Sequence, residues 1–146
     1  MSAPTPDAVR AALAGVPDPE LPALSVLDLG IVAAVRVEGA AVEVDLVPTF
    51  TGCPATQVIR DEVEAALRAM PGVADARVRW VTAPVWSPAR ISAEGRTALK
   101  AFGVSMDAGC PHCDSARTDQ ESAFGPTPCR ALRFCEDCRN SFEVMK

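Results

Sequence analysis

The sequence predicts an α/β domain of roughly a hundred residues, followed by a short module held together by metal. Strand-like alternation over Val42–Val47 gives way after Pro54 to apolar residues spaced by three and four, as when strands interleave with helices. Apolar residues make up 49% of the 146-residue chain, enough for a core without disulfide staples. Past residue 105 the apolar periodicity fades and cysteines appear in pairs. The boundary falls near Ser105-Met106-Asp107-Ala108-Gly109 and divides the chain into residues 1–104 and 105–146.

Element by element, Val9, Ala12 and Leu13 share one face of a short helix that begins near Pro6. Three prolines between Val16 and Pro22 forbid regular structure there. Ile31 to Val37 reads as a strand, and Glu38-Gly39-Ala40-Ala41 as a hairpin turn. In the next strand Val42, Val44 and Leu46 alternate against Glu43, Asp45 and Val47, so it is half-buried. The most strongly marked helix follows Pro54. Ala55, Val58, Ile59, Val63, Ala66, Leu67 and Met70 form its inner stripe, with Arg60, Asp61, Glu64 and Arg68 outside. Pro71-Gly72 ends it, and Val73–Val81 alternates again as a third strand. Ser92 caps a last helix that runs through Phe102 and closes at Gly103. Tyrosine is absent and aromatics are few, so the core is built from Val, Leu, Ile and Ala. Trp86 reads as core or interface, and its indole N–H needs a partner if buried.

Charge and hydropathy exclude several classes of function. A net charge of −5 suits neither DNA nor RNA, whose phosphates call for clustered Lys and Arg. Arg130, Arg133, Arg139 and Lys146 make the tail locally basic without reversing that reading. No run of apolar residues is long enough to span a membrane. The opening Met-Ser-Ala-Pro-Thr-Pro-Asp lacks the basic and apolar regions of a signal peptide, which favours a cytoplasmic setting. In a reducing compartment, cysteines paired as Cys-x-x-Cys bind metal rather than each other.

Cys110-Pro111-His112-Cys113 and Cys135-Glu136-Asp137-Cys138 are separated by twenty-one residues. Two such knuckles bring four thiolates into a tetrahedron, a closed structural zinc site rather than a cluster. A tail of this size cannot build a core, so metal binding supplies its folding free energy. Asp114 and Arg139 replace the glycine that often follows each knuckle, which leads us to expect less regular turns. His112, inside the first knuckle, is expected to point outward. Cys129 is a spare thiol, open to a structural, redox or ligand role, with the structural one favoured.

The sixth cysteine, Cys53, sits in Val47-Pro48-Thr49-Phe50-Thr51-Gly52-Cys53-Pro54, where a strand runs out and a helix begins. Unpaired N–H groups and the helix dipole favour a thiolate at that position. Equally, Cys53 reads as a small buried residue ending a strand. A thiol enzyme is disfavoured, because the single histidine lies in the tail and no base is identifiable in the α/β domain.

Several stretches, in order, resemble the iron–sulfur assembly domain. They are Asp18-Pro19-Glu20-Leu21-Pro22, Ser25 to Val32, Pro48 to Pro54, Pro84-Val85-Trp86-Ser87-Pro88, and Ile91 through Val104. The four-cysteine tail, with Phe124-Gly125 and Cys129-Arg130-Ala131, is similar to that of the D-type components of phenylacetyl-CoA epoxidase systems. The resemblance covers the chain from about residue 8. It implies a small mixed sheet with flanking helices plus a C-terminal zinc ribbon. It also implies a non-enzymatic role in iron–sulfur maturation, in which Cys53 is the cluster-handling thiol. Asp18, Glu20, Asp28, Thr49 and Thr51 become its candidate surroundings, either touching iron or merely capping turns.

The implied cofactors are a structural zinc at Cys110, Cys113, Cys135 and Cys138, and a transient iron or iron–sulfur cluster at Cys53. The implied partners are the reductase and other epoxidase components, with a homodimer through sheet edges as a further expectation. The alternative is a structural or docking subunit of the oxygenase complex in which Cys53 is inert.

Overall fold

Thr5 starts the first helix by accepting the Ala8 N–H on its hydroxyl (3.1 Å), and Pro6 pre-sets the first turn, so α1 runs Pro6–Leu13. The computed structural model describes residues 3–19, 21–49, 55–106, 108–126 and 130–145, and the chain divides into two units, Met1–Trp86 and Ser87–Lys146.

In the first unit β1 (Val32–Glu38) and β2 (Ala41–Leu46) pair antiparallel around a turn in which Gly39 takes φ 60°. From β2 the chain crosses over through α2 (Thr56–Arg68) to β3 (Asp75–Trp80), which lies parallel to β2. The result is the expected small mixed sheet, in the order β1-β2-β3. Val42, Val44 and Leu46 are buried, and α2 lays Ile59, Val63 and Leu67 into the core. Each such aliphatic side chain contributes about 1.5–3 kcal/mol by leaving water. Val58 departs from the expected stripe and is 46% exposed. One residue before Ile59, it points about 100° away from the row at i, i+4 and i+8.

The second unit holds a 3-10 turn (Pro88–Arg90), α3 (Ala93–Ala101), and strands β4 (Val104–Ser105), β5 (Thr118–Ser122), β6 (Arg130–Cys135) and β7 (Ser141–Met145). Ser92 caps α3 as expected, accepting the Gly95 N–H (2.9 Å). The chain leaves α3 through Gly103 at φ 85°, a conformation that favours glycine. The strands form a sheet ordered β4-β7-β6-β5, antiparallel except between β4 and β7. Sequence periodicity did not reveal these strands. β6 reads Arg-Ala-Leu-Arg-Phe-Cys, and its first residue is a buried arginine paired with Glu143 (2.8 Å), so no apolar-polar alternation marks it.

Candidate metal centre

The second unit has little apolar material around its cysteines: Phe142 packs with Cys110 and Cys135, flanked by Cys138 and Val144. Order there depends on the knuckles. The Asp114 N–H donates to Cys110 O and the Arg139 N–H to Cys135 O, both at 2.9 Å. Asp114 and Arg139 take φ 62° and 61°, so the two turns match despite lacking glycine, contrary to the expected irregularity. Aspartate tolerates this region better than most residues, and Lys100 of α3 pairs with the Asp114 carboxylate (2.6 Å).

The turns bring Cys110 Sγ to 3.6 Å from Cys138 Sγ, and Cys113 Sγ to 3.5 Å from Cys135 Sγ. All four sulfurs lie within 4.8 Å of one another. Zinc–sulfur bonds of about 2.3 Å give a tetrahedron with edges of about 3.8 Å, and a disulfide needs about 2.05 Å. The set therefore fits one zinc ion, which when bound cross-links the two knuckles. N–H groups already face the sulfurs. The His112 amide donates to Cys110 Sγ and the Asn140 side-chain amide to Cys138 Sγ, each at 3.4 Å. The Cys138 N–H, aided by that of Asp137 and opposed by desolvation, holds the Cys135 thiol down to about 6. At Cys113 the Ser115 N–H acts in the same sense, but desolvation and the three neighbouring sulfurs prevail and push the thiol up to about 12. Metal-free, the quartet keeps protons that zinc must displace. His112 is exposed beside Gly103 and stands outside the quartet. Arg117 braces the second knuckle through Asp137 (2.6 Å) and Glu136 (3.2 Å).

In the first unit, Cys53, Glu20 and Thr51 lie outside the described residues, as does Cys129 in the second. Asp18 is buried, and its carboxylate accepts the Leu21 N–H (2.9 Å) while its own N–H donates to Leu24 O (2.9 Å). Its described bonds are those of a turn cap in the proline-rich loop. The Asp28 N–H donates to Ser25 Oγ (3.0 Å), and Trp86, buried, donates its indole N–H to Leu29 O (2.8 Å). The described part of this loop is thus bonded within itself at Asp18 and anchored to Trp86 at Leu29. Asp28 and Thr49 are half-buried.

Sequence reasoning missed an ion cluster on the polar face of the sheet. Asp45 is buried there, receiving Arg36 (2.9 and 2.8 Å) and Arg79 (2.8 Å), while Glu43 also bonds Arg36. Hydrogen bonds from Arg36 first, then Arg79, hold the Asp45 carboxyl down to about 2. Charged residues at every second position of β2 and β3 were the available signal.

Among the described residues no helix is long and apolar enough to cross a membrane. A family model described as "Iron-sulfur cluster assembly protein" matches residues 6–80, and one described as "PaaD zinc beta ribbon domain" matches residues 94–146. The chain is 33% identical to the putative D component of the 1,2-phenylacetyl-CoA epoxidase of Escherichia coli (strain K12), over 94% of this chain and 90% of that one. It is 37% identical to the Fe-S protein maturation auxiliary factor SufT of Staphylococcus aureus (strain USA300), over 60% of this chain and 97% of that one. Among solved structures, a conserved hypothetical protein from Thermotoga maritima superposes with a TM-score of 0.59 at 31% identity, covering 70% of this chain and 98% of the other. With its mixed sheet, its four-sulfur centre and these similarities, the chain belongs to the iron–sulfur cluster assembly protein family, in a form that carries a PaaD-type zinc β-ribbon.

Proposed function

We propose that this protein is a cytoplasmic accessory factor of a phenylacetyl-CoA epoxidase system, without catalysis of its own, that serves iron–sulfur maturation of the reductase component through Cys53. One observation carries this reading. Maturation factors match about 60% of the chain, whereas a protein named as an epoxidase component matches 94% of it. A maturation module joined to a ribbon suits a factor devoted to one system.

The cargo is an iron or iron–sulfur species. One cysteine cannot hold a cluster, which normally has four protein ligands. Cys53 therefore acts in a site shared with a client, a small thiol or a second copy of the chain. The anchoring of Leu29 to Trp86 supports this by giving the neighbouring Asp28 a firm base, with Glu20, Thr49 and Thr51 kept as candidate neighbours. The bond of Asp18 to Leu21 favours a scaffolding role for that carboxylate. The ribbon, in an acidic chain, serves as a protein-docking element.

The test is iron and acid-labile sulfide in the reductase component, produced with wild-type protein, with Cys53→Ala, or with neither. Cluster content that falls with Cys53→Ala as far as with no protein supports maturation through this thiol. A fall confined to the arm without protein makes it a docking component with Cys53 inert. No change in any arm removes maturation of this client.

A further inference from the structure

We infer that Arg60 and Arg68 of α2 close the free edge of β3 against strand pairing, and that the partner they exclude is a second copy of this chain. β3 is the outer strand of its sheet, and among the described residues no strand pairs with it on the side away from β2. Val81 donates its N–H to Leu46 O, toward β2 (2.8 Å). Strand alternation then turns the main-chain groups of Arg77 and Arg79 toward β2, and those of Ala76 and Val78 outward. Those two outward carbonyls are where the arginines bind: Arg68 Nη2 donates to Ala76 O and Arg60 Nε to Val78 O, each at 3.2 Å. Glu64 holds Arg68 in place through its Nε (3.1 Å).

The sequence of β3 shows what the open edge would accept. In an antiparallel pair of two copies centred on Arg77, Ala76 faces Val78 of the other copy, and both exchange N–H···O bonds. Asp75 then faces Arg79, an attractive cross-strand pair repeated by symmetry. Arg77 meets its own copy at the centre, a single repulsion between well-exposed side chains against those two attractions. The edge is self-complementary at the very carbonyls that the guanidinium groups occupy. Charged side chains and covered edges are common protections against such pairing. Here the cover is two side chains from the crossover helix. Pairing of two copies along β3 requires both arginines to let go.

The test is analytical ultracentrifugation of the zinc-loaded full chain over a wide concentration range, comparing wild type with Arg60→Ala/Arg68→Ala. The double variant should self-associate at least roughly tenfold more tightly, and its Ala76 and Val78 amides should gain protection from hydrogen exchange as concentration rises. Adding Asp75→Arg to it should cancel the gain by setting like charges opposite each other. Loss of two cations takes the formal net charge from −5 to −7 (−5 − 2), which by itself opposes association. The single variants should each show part of the gain, and they carry the test if the double variant does not fold. Folded variants that associate no more than wild type, or that associate without protection at Ala76 and Val78, overturn the inference.

Discussion

The two units reach order by different means. In residues 1–86, one sheet face and two amphipathic helices bury Val9, Leu13, Val44, Leu46, Val63 and Leu67 completely. In residues 87–146, four sulfurs within 4.8 Å supplement a smaller buried set that includes Leu99, Val104, Phe142 and Met145. Apolar burial is spread over many residues, so each loss is partial. A metal centre concentrates the same task in one ion and four side chains, so its loss is total. Fold stability therefore answers to different chemistry in the two halves: volume in one, metal and protons in the other.

The largest effect should come from the metal. Structural zinc supplies about 10–16 kcal/mol in small peptide systems. Chelation, or Cys135→Ser, should abolish hydrogen-exchange protection of β6 and β7 while β1, β2 and β3 keep theirs. Equal loss in both units would break the comparison. Next in size is Leu67→Ala, which removes a fully buried side chain and should cost about 2–5 kcal/mol. Urea unfolding should report this in the first unit, with zinc stoichiometry unchanged. Ser92→Ala deletes the cap of α3 and should cost about 1 kcal/mol, read in the second unit alone.

Acid should separate the units further. Asp45 is held at about 2 by Arg36 and Arg79, below the usual aspartate value near 4. Its folded value is depressed, so its contribution is fully present above about pH 4 and is lost as pH falls toward about 2. Protons compete with zinc for thiolates, so the ribbon should melt at a higher pH than the sheet in an acid titration followed by exchange. Asp45→Asn should flatten the acid limb of the first unit and leave the ribbon's midpoint in place. Val58→Ala should have the smallest effect, within about 0.5 kcal/mol, because Val58 is largely exposed. A larger loss would mean that the inner stripe of α2 is wider than Ile59, Val63 and Leu67.

Local signals were legible wherever a short stretch contains its own cause. Thr5 and Ser92 accept N–H groups three residues on, and Gly39 and Gly103 occupy positive-φ positions inside their own turns. The cysteine quartet was equally plain, because two knuckles of fixed spacing need only a closing loop. The Asp45 cluster was less so. Arg36 and Arg79 reach Asp45 from opposite neighbouring strands, and register determines which charges meet. The strands of the ribbon escaped notice because they are short and only β7, with Phe142 and Val144 on one face, alternates.

By itself the sequence determined the element order of the first unit, the Ser92 cap of α3, the cysteine quartet and the family. Each of these is encoded by residue types at short, fixed intervals. Only the tertiary structure decided that Asp18 caps a turn, that both knuckles turn alike without glycine, and that two arginines of α2 bond the edge of β3. The arginine bonds depend on a crossover that brings α2 onto β3, while the Asp18 and knuckle bonds close within three or four residues. Hydrogen bonds with a reach of about 3 Å leave no trace in periodicity in either case.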